Sequence, residues 1–332
     1  MPSTWSSILE ELKEESKRET PGGRASWAKL LLRKIKRVVD QTGRPLILYG
    51  SACTTPKRTT GRQLSIDIAD KLGFHEMTER IDGPNVDVVV HSPGGSAEAV
   101  ETIVEALRRK YSSVRYIIPA YAKSAATMMT MSGDQILMDI DAELGPIDPQ
   151  MLLPNGVSPA EAVKEQFQKA SQEILADQRK ITVWMPILQP MGPSLLVQCD
   201  YAIELSRRLV REWLEKYMFK GDADGPVRAA AVAEYLGTAS NFASHGRRVK
   251  LDQLQDPARN FRLNLVNLRD EPMLYQAIWE VYCVMDVIFS NTPVYKLFYN
   301  SVDDAMVRME ADVIVQQVAA PAVPQMKQLP KI

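Results

Sequence analysis

The chain is 332 residues long, with 45% hydrophobic residues, 24% charged residues and a formal net charge of −1 at pH 7. These values are ordinary for a globular protein, and the balanced charge gives no electrostatic reason to expect nucleic acid or an anionic membrane as a partner. Three cysteines and three histidines are too few and too scattered for a disulfide framework or a metal cluster. We therefore expect a globular protein that holds no metal and needs no cofactor.

The first 44 residues form charged, amphipathic segments that predict helices, not a signal peptide. Residues 27–39 place apolar side chains at helical spacing with basic side chains between them, so this helix should pack on the domain or on a neighbouring subunit. A helix lying on a membrane surface is the alternative. Because no stretch approaches about 18 uninterrupted apolar residues, we expect a cytoplasmic protein with no integral membrane segment.

A central unit of alternating strands and helices follows between residues 85 and 150. Three short, continuous apolar runs predict strands that helices cover on both faces: residues 86–91, 114–119 and 135–139. A helix over 97–110 connects the first two of these strands, and a buried strand at 45–49 precedes them. This order predicts right-handed crossovers and a parallel sheet.

The pattern becomes helical after residue 154, with helices expected over 159–182, 195–219 and 226–236. Residues 272–290 are rich in aromatic residues and methionine and are nearly apolar all round, which is typical of a buried or intersubunit helix. This helix is our reason to expect a homo-oligomer. The sequence thus predicts four regions: an N-terminal helical segment (1–44), a core domain (45–258), a C-terminal helical oligomerisation segment (259–318) and a disordered tail (319–332).

Three local patterns lie at the ends of the central strands: His91-Ser-Pro-Gly-Gly95, Ala122-Lys-Ser-Ala-Ala-Thr127 and Leu144-Gly-Pro-Ile-Asp-Pro-Gln150. Together they resemble the Clp-protease/crotonase superfamily, and most closely its signal-peptide-peptidase-A and serine-dehydrogenase-proteinase branch. The resemblance covers residues 45–150 well and 155–255 loosely. It implies an α/β fold, with a crotonase/Clp-protease-like parallel-sheet core and helical N-terminal and C-terminal additions.

The same resemblance implies a serine endopeptidase that works through an acyl-enzyme. Ser124 would be the nucleophile, although a serine at a helix start can also serve only as an N-cap. The oxyanion hole would come from the turn of Gly94 and Gly95 and from the backbone N–H of Ala125. Ser96 is a rival nucleophile, but we expect it to cap the helix that follows it.

The general base is open between a histidine and a lysine. Where Clp proteases carry their histidine, this sequence reads Gly-Pro-Ile-Asp-Pro-Gln, which excludes a straightforward Clp-type triad. His245 occupies a place like the Thr-His-Asp-Tyr-Pro element of the serine-dehydrogenase-proteinase branch, and histidine suits base catalysis near neutral pH. Signal-peptide-peptidase A uses a Ser-Lys dyad, for which Lys164, Lys169 and Lys180 are the candidates here. We favour His245, because the charged neighbours of these lysines argue against a desolvated pocket.

Met128 and Asp148 are the candidates for contacts with the substrate. Asp148 could also orient the base as the third member of a triad, but an aspartate that caps its own turn is the favoured interpretation. Met128 could line an apolar pocket or belong to the core. His91, at the end of a strand, is expected to be buried and structural.

Two other functions stay open. One is a catalytically silent scaffold of the same fold that binds peptides or forms a ring, which the missing Clp-type histidine favours. The other is a crotonase-type acyl-CoA enzyme, against which the Ser-Pro-Gly-Gly and Ser-Ala-Ala-Thr segments argue. The leading prediction is a soluble serine peptidase with a peptide or protein substrate; the sequence does not identify any regulatory partner.

Overall fold

The structure is a computed structural model that describes residues 4–17, 25–154 and 156–310. The described residues form eleven strands: β1 (Leu46–Ser51), β2 (Asn85–His91), β3 (Ser113–Ile118), β4 (Tyr121–Ala122), β5 (Gln135–Met138), β6 (Glu143–Leu144), β7 (Gln150–Leu153), β8 (Gly156–Pro159), β9 (Leu265–Asn267), β10 (Val294–Asn300) and β11 (Ala305–Met309). They also form twelve α-helices: α1 (Trp5–Ser16), α2 (Ser26–Thr42), α3 (Gly61–Leu64), α4 (Asp70–Glu79), α5 (Ala97–Lys110), α6 (Ala125–Thr130), α7 (Ala160–Ala176), α8 (Ile181–Leu188), α9 (Leu195–Lys216), α10 (Gly225–Gly237), α11 (Leu251–Gln255) and α12 (Pro272–Asn291). The predicted tail at 319–332 lies outside the described residues.

Seven strands make the central sheet, in the order β11-β10-β1-β2-β3-β5-β9. The five strands from β1 to β9 in this order pair parallel to one another, as the alternation of strands and helices predicts. Strands β10 and β11 extend the sheet antiparallel at the β1 edge. The α/β fold with a parallel core is therefore confirmed.

Helices cover both faces of this sheet, which explains why most positions of its central strands are apolar. Successive side chains of a strand point to opposite faces. On β1, Ile47 and Tyr49 join the core under α4, α5, α9 and α10, whereas Leu46 and Leu48 join the core under α1, α2 and α12. A strand buried on both faces cannot show the alternation of a half-exposed strand.

The C-terminal part differs from the prediction. Within residues 259–310, α12 is helical as expected, but β9, β10 and β11 belong to the central sheet, so the prediction of a purely helical segment is wrong. Strand β10 is buried along its whole length, because it pairs with β1 on one side and β11 on the other. Helix α12 packs against α1, α2 and β10 of the same chain. Most of its apolar surface is thus covered without a second subunit, so the helix gives no argument for a homo-oligomer.

A smaller unit stands beside the sheet, built from the hairpin β7–β8 and the helices α7, α8 and the first half of α9. The buried side chains of its own cluster are few: Ala160, Val163, Leu195 and Cys199. The described residues contain no helix that is long and apolar enough to cross a membrane.

Candidate active site

Two loops at the carboxyl ends of β2 and β3 run side by side. The Ser92 N–H donates to the Tyr121 carbonyl oxygen at 2.9 Å, and the Lys123 N–H donates back to the Ser92 carbonyl oxygen at 3.0 Å. The first loop ends at Ser96, whose hydroxyl accepts from the Ala99 N–H at 3.0 Å and caps α5 as predicted. These bonds fix the Pro-Gly-Gly turn beside Ser124.

Ser124 has a strained backbone. Its φ of 50° and ψ of −122° lie in a region that residues with a side chain rarely adopt, at a cost of about 1–3 kcal/mol. It precedes α6, but its hydroxyl makes no capping hydrogen bond and no other hydrogen bond within the part of the chain that the structure describes. The N-cap interpretation of Ser124 is therefore not supported. Such strain persists only where the surrounding structure enforces the conformation, and strained residues are common at active sites.

The two glycines beside Ser124 have no room for side chains. A Cβ on Gly94, whose φ is 94°, would lie 2.8 Å from the Ser124 Cβ and 3.0 Å from the Ala125 nitrogen. A Cβ on Gly95 would lie 2.2 Å from the Ile66 carbonyl oxygen. Both glycines are thus required by close packing of the backbone, as well as by the turn.

The backbone N–H groups of Gly95 and Ala125 donate to none of the described residues, although the N–H groups next to them are bonded. The Gly94 N–H donates to the Ser92 hydroxyl at 3.2 Å, and the Ala126 N–H donates to the Lys123 carbonyl oxygen at 2.8 Å. Gly95 and Ala125 line one cavity with Ser124, of about 280 Å³, which we call the Ser124 cavity. The loop geometry thus leaves the N–H groups of Gly95 and Ala125 available at the Ser124 cavity, whereas the Gly94 N–H is already bonded.

Asp148 and His245 form a hydrogen-bonded pair. His245 Nδ1 lies 2.7 Å from Asp148 Oδ1, and the Gln150 Nε2 donates to Asp148 Oδ2, also at 2.7 Å. Asp148 is buried, with 2% of its surface exposed, whereas the His245 side chain is partly exposed. The carboxylate binds these two side chains and does not cap its own backbone, so the favoured interpretation of Asp148 was wrong.

Contacts between distant segments hold this pair in place. Leu144 and Val249 exchange two backbone hydrogen bonds, at 3.0 and 2.9 Å, which bring the His245 loop to the Gly145-Pro-Ile-Asp148 loop. The Gly145 N–H donates to the Thr127 hydroxyl on α6 at 2.9 Å. Asp148 therefore sits between the helix that follows Ser124 and the loop of His245, and it lines the Ser124 cavity itself.

Two of the candidate lysines, Lys164 and Lys180, lie in ion pairs on the surface. Lys164 Nζ is 2.5 Å from Asp200 Oδ1, with both side chains about half exposed, and Lys164 is not among the residues that line the Ser124 cavity. Lys180 pairs with Glu173 at 3.3 Å. Lys123, next to the serine, is buried and pairs with Glu143 at 2.8 Å. His245 does not line the Ser124 cavity either and lines a separate groove, but its partner Asp148 lines that cavity, whereas Asp200, the partner of Lys164, does not.

The remaining wall of the Ser124 cavity is largely apolar. Met128, which is 2% exposed, lines it as the substrate-pocket prediction requires, together with Ile147, Met151 and Leu205. Sequence reasoning missed Leu205 and its neighbours on α9, because only the fold brings that helix over the cavity. His91 lies elsewhere; it is buried and structural as expected, and burial lowers its pKa to about 4.

Residues 67–186 match the family model of the ClpP-like SDH-type serine proteinases. Two uncharacterized proteins of Methanocaldococcus jannaschii are 35% identical over 89 residues and 34% identical over 96 residues. These matches span 27% and 29% of this chain and less than a third of each relative, 29% and 32% of its length.

Two solved structures of variants of the 1510-N membrane-bound stomatin-specific protease, one in complex with a substrate peptide, are 15% and 16% identical to this chain, with TM-scores of 0.38 and 0.36. They cover 64% and 61% of this chain, and the matches span 79% and 70% of those chains. The family model confirms the resemblance that the sequence motifs predict, and the residues that it matches contain the Pro-Gly-Gly turn, Ser124 and Asp148.

Proposed function

We propose that this chain is a serine endopeptidase that hydrolyses peptide bonds through an acyl-enzyme on Ser124. One observation supports this most: a serine hydroxyl on a strained backbone shares a cavity with two backbone N–H groups, and none of the three is hydrogen-bonded to a described residue. A helix cap or a structural turn would use these groups. An acyl-transfer site needs them free.

In the proposed reaction, Ser124 Oγ attacks the carbonyl carbon of the peptide bond and its proton passes to His245. The carbonyl oxygen becomes an oxyanion, which accepts hydrogen bonds from the Gly95 and Ala125 N–H groups. Each such donor typically stabilises the transition state by about 3 kcal/mol. His245 then protonates the leaving amine, and water hydrolyses the acyl-enzyme by the same steps in reverse.

His245 is the proposed base because its partner fixes the proton where the reaction needs it. With Asp148 Oδ1 accepting from Nδ1, the neutral ring carries its lone pair on Nε2, which is the tautomer that a triad uses. The proposal requires Nε2 to come within hydrogen-bond reach of Ser124 Oγ when substrate is bound, since such bonds often tighten only in the complex. Lys164 is tied to Asp200 instead.

The Ser124 cavity supports a preference for peptides with an apolar side chain at the cleaved bond. Met128, Ile147, Met151 and Leu205 contribute hydrocarbon and thioether groups to its wall, beside polar side chains such as Glu98 and Ser206. Burying such a side chain contributes about 1.5–3 kcal/mol of binding free energy, whereas a charged side chain would lose its hydration there.

Labelling with a fluorophosphonate probe tests the proposal, because only an activated serine reacts with it. We expect the wild-type protein to gain one adduct, mapped by mass spectrometry to Ser124, and the Ser124→Ala variant to gain none. Ser96→Ala is the matched control, since Ser96 lines the same cavity but caps α5, and its labelling should persist. Absence of labelling in the wild-type protein would favour the silent scaffold.

A further inference from the structure

The Gly94-Gly95 turn is held by a residue from another loop of the chain. Ile66 pairs with Gly95 in an isolated parallel bridge. The Ile66 N–H donates to the Gly94 carbonyl oxygen at 2.7 Å, and the Ser96 N–H donates to the Ile66 carbonyl oxygen at 2.9 Å. Ile66 is itself buried, with 1% of its surface exposed. The bridge therefore bonds the peptide groups on both sides of Gly95.

This bridge sets the direction of the Gly95 N–H. In a trans peptide unit the C=O and the N–H point in opposite directions. Because the Gly94 carbonyl points at Ile66, the Gly95 N–H must point away from Ile66. Ile66 does not line the Ser124 cavity, whereas Gly95 does. The position of Ile66 thus determines whether this proposed oxyanion donor faces the cavity.

A buried ion pair holds the segment around Ile66. Lys296 of β10 and Asp70 of α4 lie 2.7 Å apart, and both side chains are 0% exposed. The Lys296 ammonium also donates to the Ser65 carbonyl oxygen at 2.7 Å, and Asp70 Oδ2 accepts from the Asp67 N–H at 3.2 Å. The pair therefore binds the residue before Ile66 and the residue after it.

A second connection runs from the ion pair to the turn itself. The Tyr49 hydroxyl on β1 donates to Asp70 Oδ2 at 3.0 Å, and the Tyr49 side chain also interacts with that of Ser92. The Ser92 hydroxyl accepts from the Gly94 N–H at 3.2 Å. The turn is thus connected to Asp70 through Ser92 as well as through Ile66.

Stability alone does not explain a charged pair at this place. Taking two charges out of water is costly, and replacing a buried ion pair by well-packed apolar side chains is often neutral or stabilising. Lys296 lies within a strand that is buried along its whole length, where an apolar side chain is usual. The pair does what hydrocarbon cannot, since it supplies a donor to the Ser65 carbonyl and an acceptor to the Asp67 N–H.

We propose that Lys296 and Asp70 are positioning residues of the peptidase, which hold Ile66 so that the Gly95 N–H faces the oxyanion. This inference rests on the proposed function. Neither side chain lines the Ser124 cavity, so both act through the backbone. Because an oxyanion donor acts on the transition state, its displacement should lower kcat and leave KM nearly unchanged.

The Lys296→Met/Asp70→Leu variant tests this proposal, because it replaces both partners by apolar side chains and removes the bonds to Ser65 and Asp67. We expect kcat for hydrolysis of a fluorogenic peptide to fall by about 10²-fold, as a misplacement of roughly 1 Å does, with KM within about twofold of wild type. Hydrogen–deuterium exchange, followed by mass spectrometry of a fragment that contains residues 92–96, should become faster in the variant.

Asp87→Asn is the matched control. Asp87 is equally buried and pairs with Arg44 and Arg115, each at 2.7 Å, but it lies near the amino end of β2, whereas the turn follows the carboxyl end of that strand. This variant should lower the free energy of unfolding, because it weakens a buried ion pair. It should leave kcat and the exchange of residues 92–96 unchanged.

Tyr49→Phe is a second variant, which serves if the double variant does not fold. It keeps the ring and removes only the hydroxyl that bonds Asp70, so kcat and exchange should change in the same direction but less.

A folded double variant with wild-type kcat would overturn the proposal, whether or not exchange at residues 92–96 becomes faster. An equal loss of kcat in Asp87→Asn would overturn it as well, because the effect would then follow from stability alone. If the wild-type protein hydrolyses no peptide, the proposed function fails. The exchange experiment still shows in that case whether the ion pair holds the turn, and unchanged exchange would reject this too.

Discussion

Replacement of Asp148 by asparagine tests whether this side chain orients the proposed base. The carboxylate accepts on both sides, Oδ1 from His245 and Oδ2 from Gln150, each at 2.7 Å. Asparagine has one accepting oxygen and one donating NH2 group, so it cannot serve both donors. If the NH2 group faces His245, it forces the ring proton onto Nε2, which can then no longer accept a proton from Ser124.

If the NH2 group faces Gln150 instead, the Gln150 amide must turn and give up its 3.3 Å bond to the Asp148 carbonyl oxygen. In both arrangements the negative charge that stabilises the protonated imidazole is lost. Because the same change in a chymotrypsin-type triad lowers kcat by roughly 10⁴, we expect kcat/KM for peptide hydrolysis to fall by about 10²–10⁴.

The assay is initial-rate hydrolysis of a fluorogenic peptide with an apolar side chain at the cleaved bond, with thermal unfolding recorded in parallel. Asp141→Asn is the matched control, since the Asp141 side chain is 82% exposed in the preceding loop and its ion pair among the described residues is with Arg269, at 3.4 Å. It should change kcat/KM by less than about twofold. A folded Asp148→Asn protein with nearly wild-type activity would refute the role that we assign to the Asp148–His245 pair.

Three further predictions concern Gly95, Lys296 and His91. Gly95→Ala should lower kcat/KM by about 10²–10³, because the new Cβ displaces one proposed oxyanion donor. Gly61→Ala is the control and should leave kcat/KM unchanged, because a Cβ on Gly61 would contact nothing. Equal rates for the two variants would contradict this prediction. Lys296→Met should lower the free energy of unfolding by about 3–5 kcal/mol in urea titrations, because it leaves the fully buried Asp70 carboxylate without the ammonium 2.7 Å away. The Lys296→Met/Asp70→Leu variant should recover most of that loss, and failure to recover would show that the pair is not the cause. Burial lowers the pKa of His91 to about 4, so between pH 6.5 and 4 this histidine is protonated in the unfolded chain but not in the folded one. The free energy of unfolding should therefore fall by up to about 3 kcal/mol over this pH range. His91→Leu should remove this contribution, and an unchanged slope against pH would exclude His91 as its source.

The fold could be predicted where local pattern and final environment agree. Helix α5 is observed over residues 97–110, as its apolar spacing predicts. Strand β2 begins one residue before its predicted run, and β3 begins and ends one residue before its own. Strand β10 was missed because its partner β1 lies about 250 residues earlier, and nothing in the local sequence shows that pairing. Long-range strand pairs are set by the fold as a whole, not by the propensity of one segment.

In the candidate site too, local motifs predicted some residues, whereas others depend on long-range contacts. The motifs placed Ser124, Gly95 and Ala125 together, because strand ends in a parallel sheet share one edge. The Asp148–His245 pair joins residues 97 positions apart and depends on backbone bonds between Leu144 and Val249. A single sequence gives no sign of such a contact, which is why the interpretation of Asp148 as a turn residue was favoured.

Cleavage of a defined peptide mixture by the wild-type protein and by Ser124→Ala tests the central claim most directly. Mass spectrometry of the products identifies each new terminus. We expect the wild-type protein to generate new termini next to apolar residues and the folded Ser124→Ala variant to generate none above background. Equal cleavage by both proteins, or none by the wild-type protein, would contradict the account of Ser124 as the nucleophile of a peptidase.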